Sequence, residues 1–311
     1  MSYRFKIVSR TVIRTLCCFS CLFFISFIPI LVSAQINESY FSLSPAKAEI
    51  VIEPGETLYL PFTLSNFLGR PATFNVLFED IIAPNDPTLA FEIKKTTPNP
   101  YSLNADITIN ESQFSLLPGE EKRFSLTLSM PNDSLPGSRH GILLVTTESL
   151  EARTETKTVS RLGGVILVKV AGDKKEIGQL ADFKIIGGRL ITKSPIRFQV
   201  VFNNSGNVYL NPYGLIEIKN LITRSRRMIE VDPWFVLPAA DRWREVIVSN
   251  NGWGGFYQAT LMLNRGYDDI IDNQKVNFIV MPIWFIILIV IISLLLATLF
   301  FVIRSKKNKQ Q

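Results

Sequence analysis

The sequence predicts an all-β protein, two β-sandwiches followed by one C-terminal transmembrane helix, and three observations carry that reading. Short apolar runs rich in Val, Ile, Phe and Thr recur between Pro, Gly and Asn punctuation over residues 35–278, with no convincing helical period among them. The 25 residues Ile279–Ile303 carry no charge, where about 20 apolar residues cross a bilayer. A chain of 311 residues that is 47% hydrophobic is too apolar to be disordered.

The first element is read as a signal peptide over 1–34. Arg4, Lys6, Arg10 and Arg14 precede an apolar run, Leu16–Val32, which closes on Val32-Ser33-Ala34, a small-residue cleavage pattern that leaves Gln35 as the mature N-terminus. An uncleaved anchor is the alternative, since the run is just long enough to span. At the other end, Pro282 falls where a missing N–H does no harm to a helix start. Trp284 lies at interfacial depth, and Arg304 to Lys307 stop transfer. The expected organisation is therefore a transmembrane helix over 279–303 and a cytoplasmic basic tail over 304–311, with everything between signal and helix outside the membrane. This is a single-pass type I arrangement in the cell membrane.

Charge and cysteine narrow the compartment. The net charge is +6, but each end contributes four basic residues and no acid, so the body holds 25 basic and 27 acidic residues. A body at −2 excludes a basic nucleic-acid-binding face. All three cysteines (Cys17, Cys18, Cys21) lie in the signal, so an exported chain without disulfides must be held by its apolar core, which points to a bacterial envelope.

The first sandwich is assigned to 35–172. Strands are expected at Ala48–Ile52, Leu58–Ser65, Thr73–Phe78, Phe124–Ser129, Ile142–Thr147 and Val165–Val170, with shorter ones near Phe91–Lys94 and Asp106–Ile109. Seven to nine strands over about 130 residues is an Ig-like number. Pro54-Gly55-Glu56 and Pro118-Gly119-Glu120 each lead into a strand ending Thr-Leu-Ser, which reads as two similar turns within one sandwich. The polar stretch 171–180 is the connection, with 173–180 as the linker, and its shortness implies a semi-fixed angle between domains. The second Ig-like sandwich, 181–278, is expected to hold strands at Ile196–Asn203, Leu215–Lys219, Arg227–Val231, Glu245–Ser249, Phe256–Leu263 and Val276–Val280.

Chemistry is sparse. His140 is the one histidine, and a lone His in such a setting reads as a surface or turn residue; a hydrolase using it needs an acid and a nucleophile converging on it. Asp80 with Asp86, and Asp268-Asp269 with Asp272, lack a calcium-loop register and read as solvated turn acids. No enzymatic activity, cofactor or metal is expected. Of Trp234, Trp243 and Trp253, large aromatics of a disulfide-free core, Trp253 in Gly252-Trp253-Gly254-Gly255 is the best candidate for an exposed contact. Arg224, Arg226 and Arg227 form a basic hairpin tip that could meet anionic headgroups or simply be solvated.

Phe41-Ser42-Leu43-Ser44-Pro45 and Glu53-Pro54-Gly55-Glu56, with an alternating strand to Asn66, resemble the opening of bacterial surface proteins with DUF916-type domains. These include the WxL-interacting proteins of Gram-positive bacteria, whose sandwich is similar to pilus-chaperone domains. Phe202-Asn203-Asn204-Ser205-Gly206-Asn207-Val208, Pro212-Tyr213-Gly214, Val236-Leu237-Pro238 and Gly255-Phe256-Tyr257 resemble signals of their tandem second domains. The resemblance implies a membrane-anchored extracytoplasmic binding or scaffold protein engaging cell-wall polymers or partner proteins. The alternative is a chaperone-like assembly factor, or an accessory subunit of a secretion or transport complex.

Overall fold

The computed structural model describes residues 40–94, 99–150, 157–249 and 254–307. The signal-peptide reading, at 1–34, lies outside the described residues.

Two sheets form the first sandwich. One contains β1 (Tyr40–Ser44), β3 (Thr57–Phe67), β8 (Glu121–Ser129) and β6 (Ile107–Ile109), in the order β1-β3-β8-β6. The other contains β2 (Lys47–Ile52), β10 (Lys157–Val170), β9 (Gly137–Leu150), β4 (Ala72–Ile82) and β5 (Glu92–Lys94) in that order, and β7 (Gln113–Leu116) also pairs with β4. The N-terminal strand thus divides between sheets, β1 running antiparallel to β3 and β2 parallel to β10. Alternation in β3 turns Leu60, Phe62 and Leu64 inward, against Leu126 and Leu128 of β8 and Phe74, Val76, Leu143, Val145, Ile166 and Val168 of the facing sheet.

The two Pro-Gly-Glu turns enter β3 and β8, which are antiparallel neighbours in one sheet. Gly55 (φ +83°) and Gly119 (φ +78°) occupy the positive-φ position that a type II turn requires after Pro. In each turn the glutamate closes the loop in the same way. Glu56 Oε2 accepts the Glu53 N–H at 3.0 Å, and Glu120 Oε2 accepts the Leu117 N–H at 2.8 Å.

The second sandwich stacks β11 (Gly178–Ile185), β13 (Ile196–Asn204) and β16 (Ala240–Val248) on a five-stranded sheet. That sheet has the order β12 (Leu190–Ile191), β18 (Ile271–Val280), β17 (Gly255–Asn264), β14 (Tyr213–Asn220) and β15 (Arg226–Val231). Phe183, Phe198, Phe202, Trp234, Leu261 and Phe278 lie in its core.

β1, β7, β11 and β12 go beyond the strands expected from sequence, and residues 178–180, read as linker, open β11. The reason is a β-bulge: the register slips between Leu180 and Asp182, so the buried Leu180 and Phe183 stand three apart and the period of two is hidden.

The sandwiches meet through a third apolar cluster. Ile81, Ile142, Leu144 and Leu167, on the outer face of the β4–β9–β10 sheet, pack with Tyr209 and Leu237 of the second sandwich. Around this patch, Ser138 N–H donates to Asn207 O at 2.9 Å and Trp243 N–H to Pro87 O at 2.7 Å. Tyr209 N–H donates to Ser138 Oγ at 2.5 Å. Asn207 also reaches the connection, its Oδ1 accepting Lys175 N–H at 2.7 Å. Beside it, a Cβ on Gly206 would stand 2.1 Å from the Lys175 carbonyl oxygen, so this close approach requires glycine.

After β18 the chain enters α1 (Ile283–Lys307), which carries most of the uncharged run. Among the described residues no helix is long and apolar enough to cross a membrane, so a span rests on the sequence of the run.

Candidate binding surfaces

His140 is not a surface or turn residue: it is 1% exposed, in β9. Its Nδ1 lies 2.7 Å from the Ile81 carbonyl, which requires the proton on Nδ1, and its ring stacks on Tyr101 with centroids 5.5 Å apart. Nε2 is buried with no hydrogen-bond partner among the described residues. Burial pulls the imidazole down to about 4, against smaller opposing contributions from the Ile81 carbonyl and Asp80. It is therefore neutral at ordinary pH. The neighbouring groups are committed elsewhere. Ser138 Oγ accepts the Tyr209 N–H, while Asp80 accepts the Ser102 hydroxyl at 2.5 Å and the Leu103 and Asn104 N–H groups at 2.9 and 3.0 Å. Among the described residues no nucleophile–imidazole–acid relay is assembled around His140.

The acids read as solvated turns divide. Asp80 is half-buried in β4 and organises the 102–104 loop, and Asp272 is half-buried in β18. Asp272 binds Arg265 at 2.6 Å and accepts the Leu180 N–H at 2.8 Å. Asp86 remains exposed, with its carboxyl lowered by hydrogen bonds from the Thr88 backbone and hydroxyl. Asp268 and Asp269 are exposed at φ +50°. Among the described residues no group of three or more His, Cys, Asp or Glu could hold a metal ion.

Trp234 is core, edge-on to Phe202. Trp243 is half-buried in β16 and donates its backbone N–H to Pro87 of the first sandwich. Trp253 lies outside the described residues. The basic tip is the β14–β15 turn: Arg224 has φ +64°, Arg226 pairs with Glu217 at 3.0 Å, and Arg227 donates to Ser249 O at 2.7 Å. Arg224 makes no ion pair among the described residues.

The sequence suggests strand addition at a sandwich edge without saying which edge, and a second surface is not named by it at all. The outer edge of β1 has no strand partner among the described residues. β2, β5, β11, β15 and β16, also at sheet edges, all carry charged side chains, a common guard against further pairing. Tyr-Phe-Ser-Leu-Ser in β1 has none, and is the longest described edge strand without charge. The second is an apolar groove of about 330 Å³ between the β14–β15 turn and the start of α1, lined by Ile222, Phe256, Ile279, Met281, Trp284 and Phe285. An exposed Leu221-Ile222 pair inside a turn was its available signal.

The architecture is that of a protein of two tandem Ig-like sandwiches. No family model matches the chain, and no curated protein matches its sequence. Similar solved structures include pilus chaperones. The class 5 fimbriae chaperone CfaA is 13% identical, covers 78% of this chain and 100% of its own, and gives a TM-score of 0.37. The E. coli chaperone DraB is 12% identical over 78% of this chain and 97% of its own, at 0.37. The CsuC–CsuE pre-assembly complex of Acinetobacter baumannii is 11% identical over 78% and 100%, at 0.35. Scores below 0.5 leave the fold to be read from the strand order itself.

Proposed function

We propose that this chain is a membrane-anchored extracytoplasmic binding or scaffold protein of the bacterial envelope, of the DUF916-like kind, which engages a partner protein through its sandwiches. The observation that carries the reading is the uncharged edge of β1, unpaired among the described residues, to which an extended segment of a partner can add as a further strand. The anchor in this reading is the uncharged sequence Ile279–Ile303, 25 residues where about 20 cross a bilayer, followed by Arg304, Lys306 and Lys307. The basic, then apolar, first 34 residues are the export signal. No reaction is proposed for it, and no cofactor or nucleic acid.

The test is co-purification of the full chain from envelope extracts after cross-linking, beside Ser42→Lys, which places a charge in the open edge. Partners are expected to be lost from the variant while its melting temperature is unchanged. Retention of every partner would refute edge pairing. Binding of isolated cell-wall polymer, unaffected by Ser42→Lys, would favour a polymer ligand. Short-lived complexes with secreted subunits alone would favour the chaperone-like alternative.

A further inference from the structure

The β14–β15 turn stands at the end of the sheet from which α1 departs. Asn220, the last residue of β14, is paired with Tyr257, and Tyr257 with Phe278, two residues before β18 ends. The turn is fastened there by the Leu221 N–H, which donates to Phe256 O at 2.8 Å.

Its composition is unusual for a solvated tip. Leu221 is 44% and Ile222 66% exposed, and Phe256 and Trp284 beside them are 53% and 52% exposed. The backbone of the turn is nevertheless satisfied from within. Asn220 Oδ1 accepts the Ile222 and Thr223 N–H groups, each at 2.9 Å. Arg224 N–H donates to Asn220 O at 3.0 Å, and Asn220 N–H to Ser225 O at 2.9 Å. A turn with exposed apolar side chains and internally bonded N–H groups suits a boundary poor in water, where unpaired backbone is costly. Arg226 and Arg227 are engaged on the domain, which leaves the exposed Arg224 as a cation without an ion pair among the described residues.

We propose that this turn is a second membrane contact. Ile222 and the groove beside α1 sit at the boundary between acyl chains and headgroups of an anionic bilayer, with Arg224 against lipid phosphate. The proposal rests on reading α1 as a span. Two features select a lipid surface as the occupant. The groove is continuous with the first turn of the helix, where Trp284 and Phe285 form part of its wall, and Trp at that depth is a usual interfacial anchor. Arg224, without an ion pair among the described residues, complements anionic headgroups. The second sandwich is then held at two points, so its sheets cannot swing freely about the two residues that join β18 to α1.

The test uses the full chain with Cys17, Cys18 and Cys21 replaced by serine, in nanodiscs of mixed phosphatidylcholine and phosphatidylglycerol. Single fluorescent probes are placed at Ile222→Cys, at Leu294→Cys within α1 and at Ser42→Cys in the first sandwich. The expected result is quenching of the Ile222 probe by shallow spin-labelled lipid and its protection from aqueous iodide, with the Ser42 probe showing the reverse. In the Ile222 probe chain, Arg224→Gln should lower occupancy of the lipid-contacting state by about fivefold in anionic discs, and far less in pure phosphatidylcholine. A lipid-quenched Leu294 probe with an iodide-accessible Ile222 probe would overturn the second contact and leave the span standing. An Ile222 probe shielded from both quenchers would mean that protein covers the groove, and would also overturn it. A Leu294 probe not quenched by lipid would fail the span, and the proposal with it.

Discussion

Acidification should destabilise the first sandwich through His140, and the size of the effect follows from its burial. The folded value, about 4, lies below the ordinary 6.5. As pH falls, the unfolded chain therefore takes the proton first. The contribution is complete above 6.5 and is lost on the way down to 4. The full difference corresponds to about 3 kcal/mol at 1.36 kcal/mol per unit, and to roughly 2.5 kcal/mol between pH 7.5 and 4.5. The side chain is almost wholly enclosed, so solvent screening removes little of this. The measurement is urea unfolding of the detergent-solubilised chain at both pH values, for wild type and His140→Gln. The variant loses the ring contact with Tyr101 and is less stable at neutral pH, but that cost is common to both conditions. Asp106, whose carboxyl burial pushes up, titrates in both proteins and cancels in the difference. Wild type should lose about 2.5 kcal/mol more than His140→Gln on acidification. Equal losses would mean that the imidazole takes its proton in place, and would refute the account of a sealed, neutral histidine.

Leu237→Ala, at the apolar joint, should cost about 2–5 kcal/mol and raise amide hydrogen exchange on both sides of it, in β9 and around Tyr209. Faster exchange in the second sandwich alone would show that the joint does not couple the domains. Gly206→Ala should cost about 1–3 kcal/mol, because the new methyl must displace the Lys175 carbonyl. A melting temperature equal to wild type would show that the connection yields freely there.

The joint shows where legibility ended. Ile142-Leu143-Leu144-Val145 and Val165-Ile166-Leu167-Val168 are continuous apolar runs, unlike the alternation of β3, and such runs mark strands buried on both faces. That signal was present for strand existence, but nothing in it names the second face's partner, Tyr209 and Leu237, some forty residues or more further along the chain. The Asn203-Asn204-Ser205-Gly206-Asn207 segment was likewise legible as a turn, while its use as the hinge-side clasp on Ser138 and Lys175 depends on two domains meeting.

The period-two patterning, the Pro-Gly-Glu turns and the long uncharged run are properties of neighbouring residues, and local sterics and burial read them directly. They determined an all-β body with a helical end. The burial of His140, the commitment of Asp80 and Asp272 to backbone donors, the place of β1 at the edge of its sheet among the described residues and the groove beside α1 depend on residues far apart in sequence. Only the pairing of strands brings those residues together, and a neutral or a charged histidine, a solvated or a bonded carboxylate, is decided by what the folded chain places within a few ångströms of it.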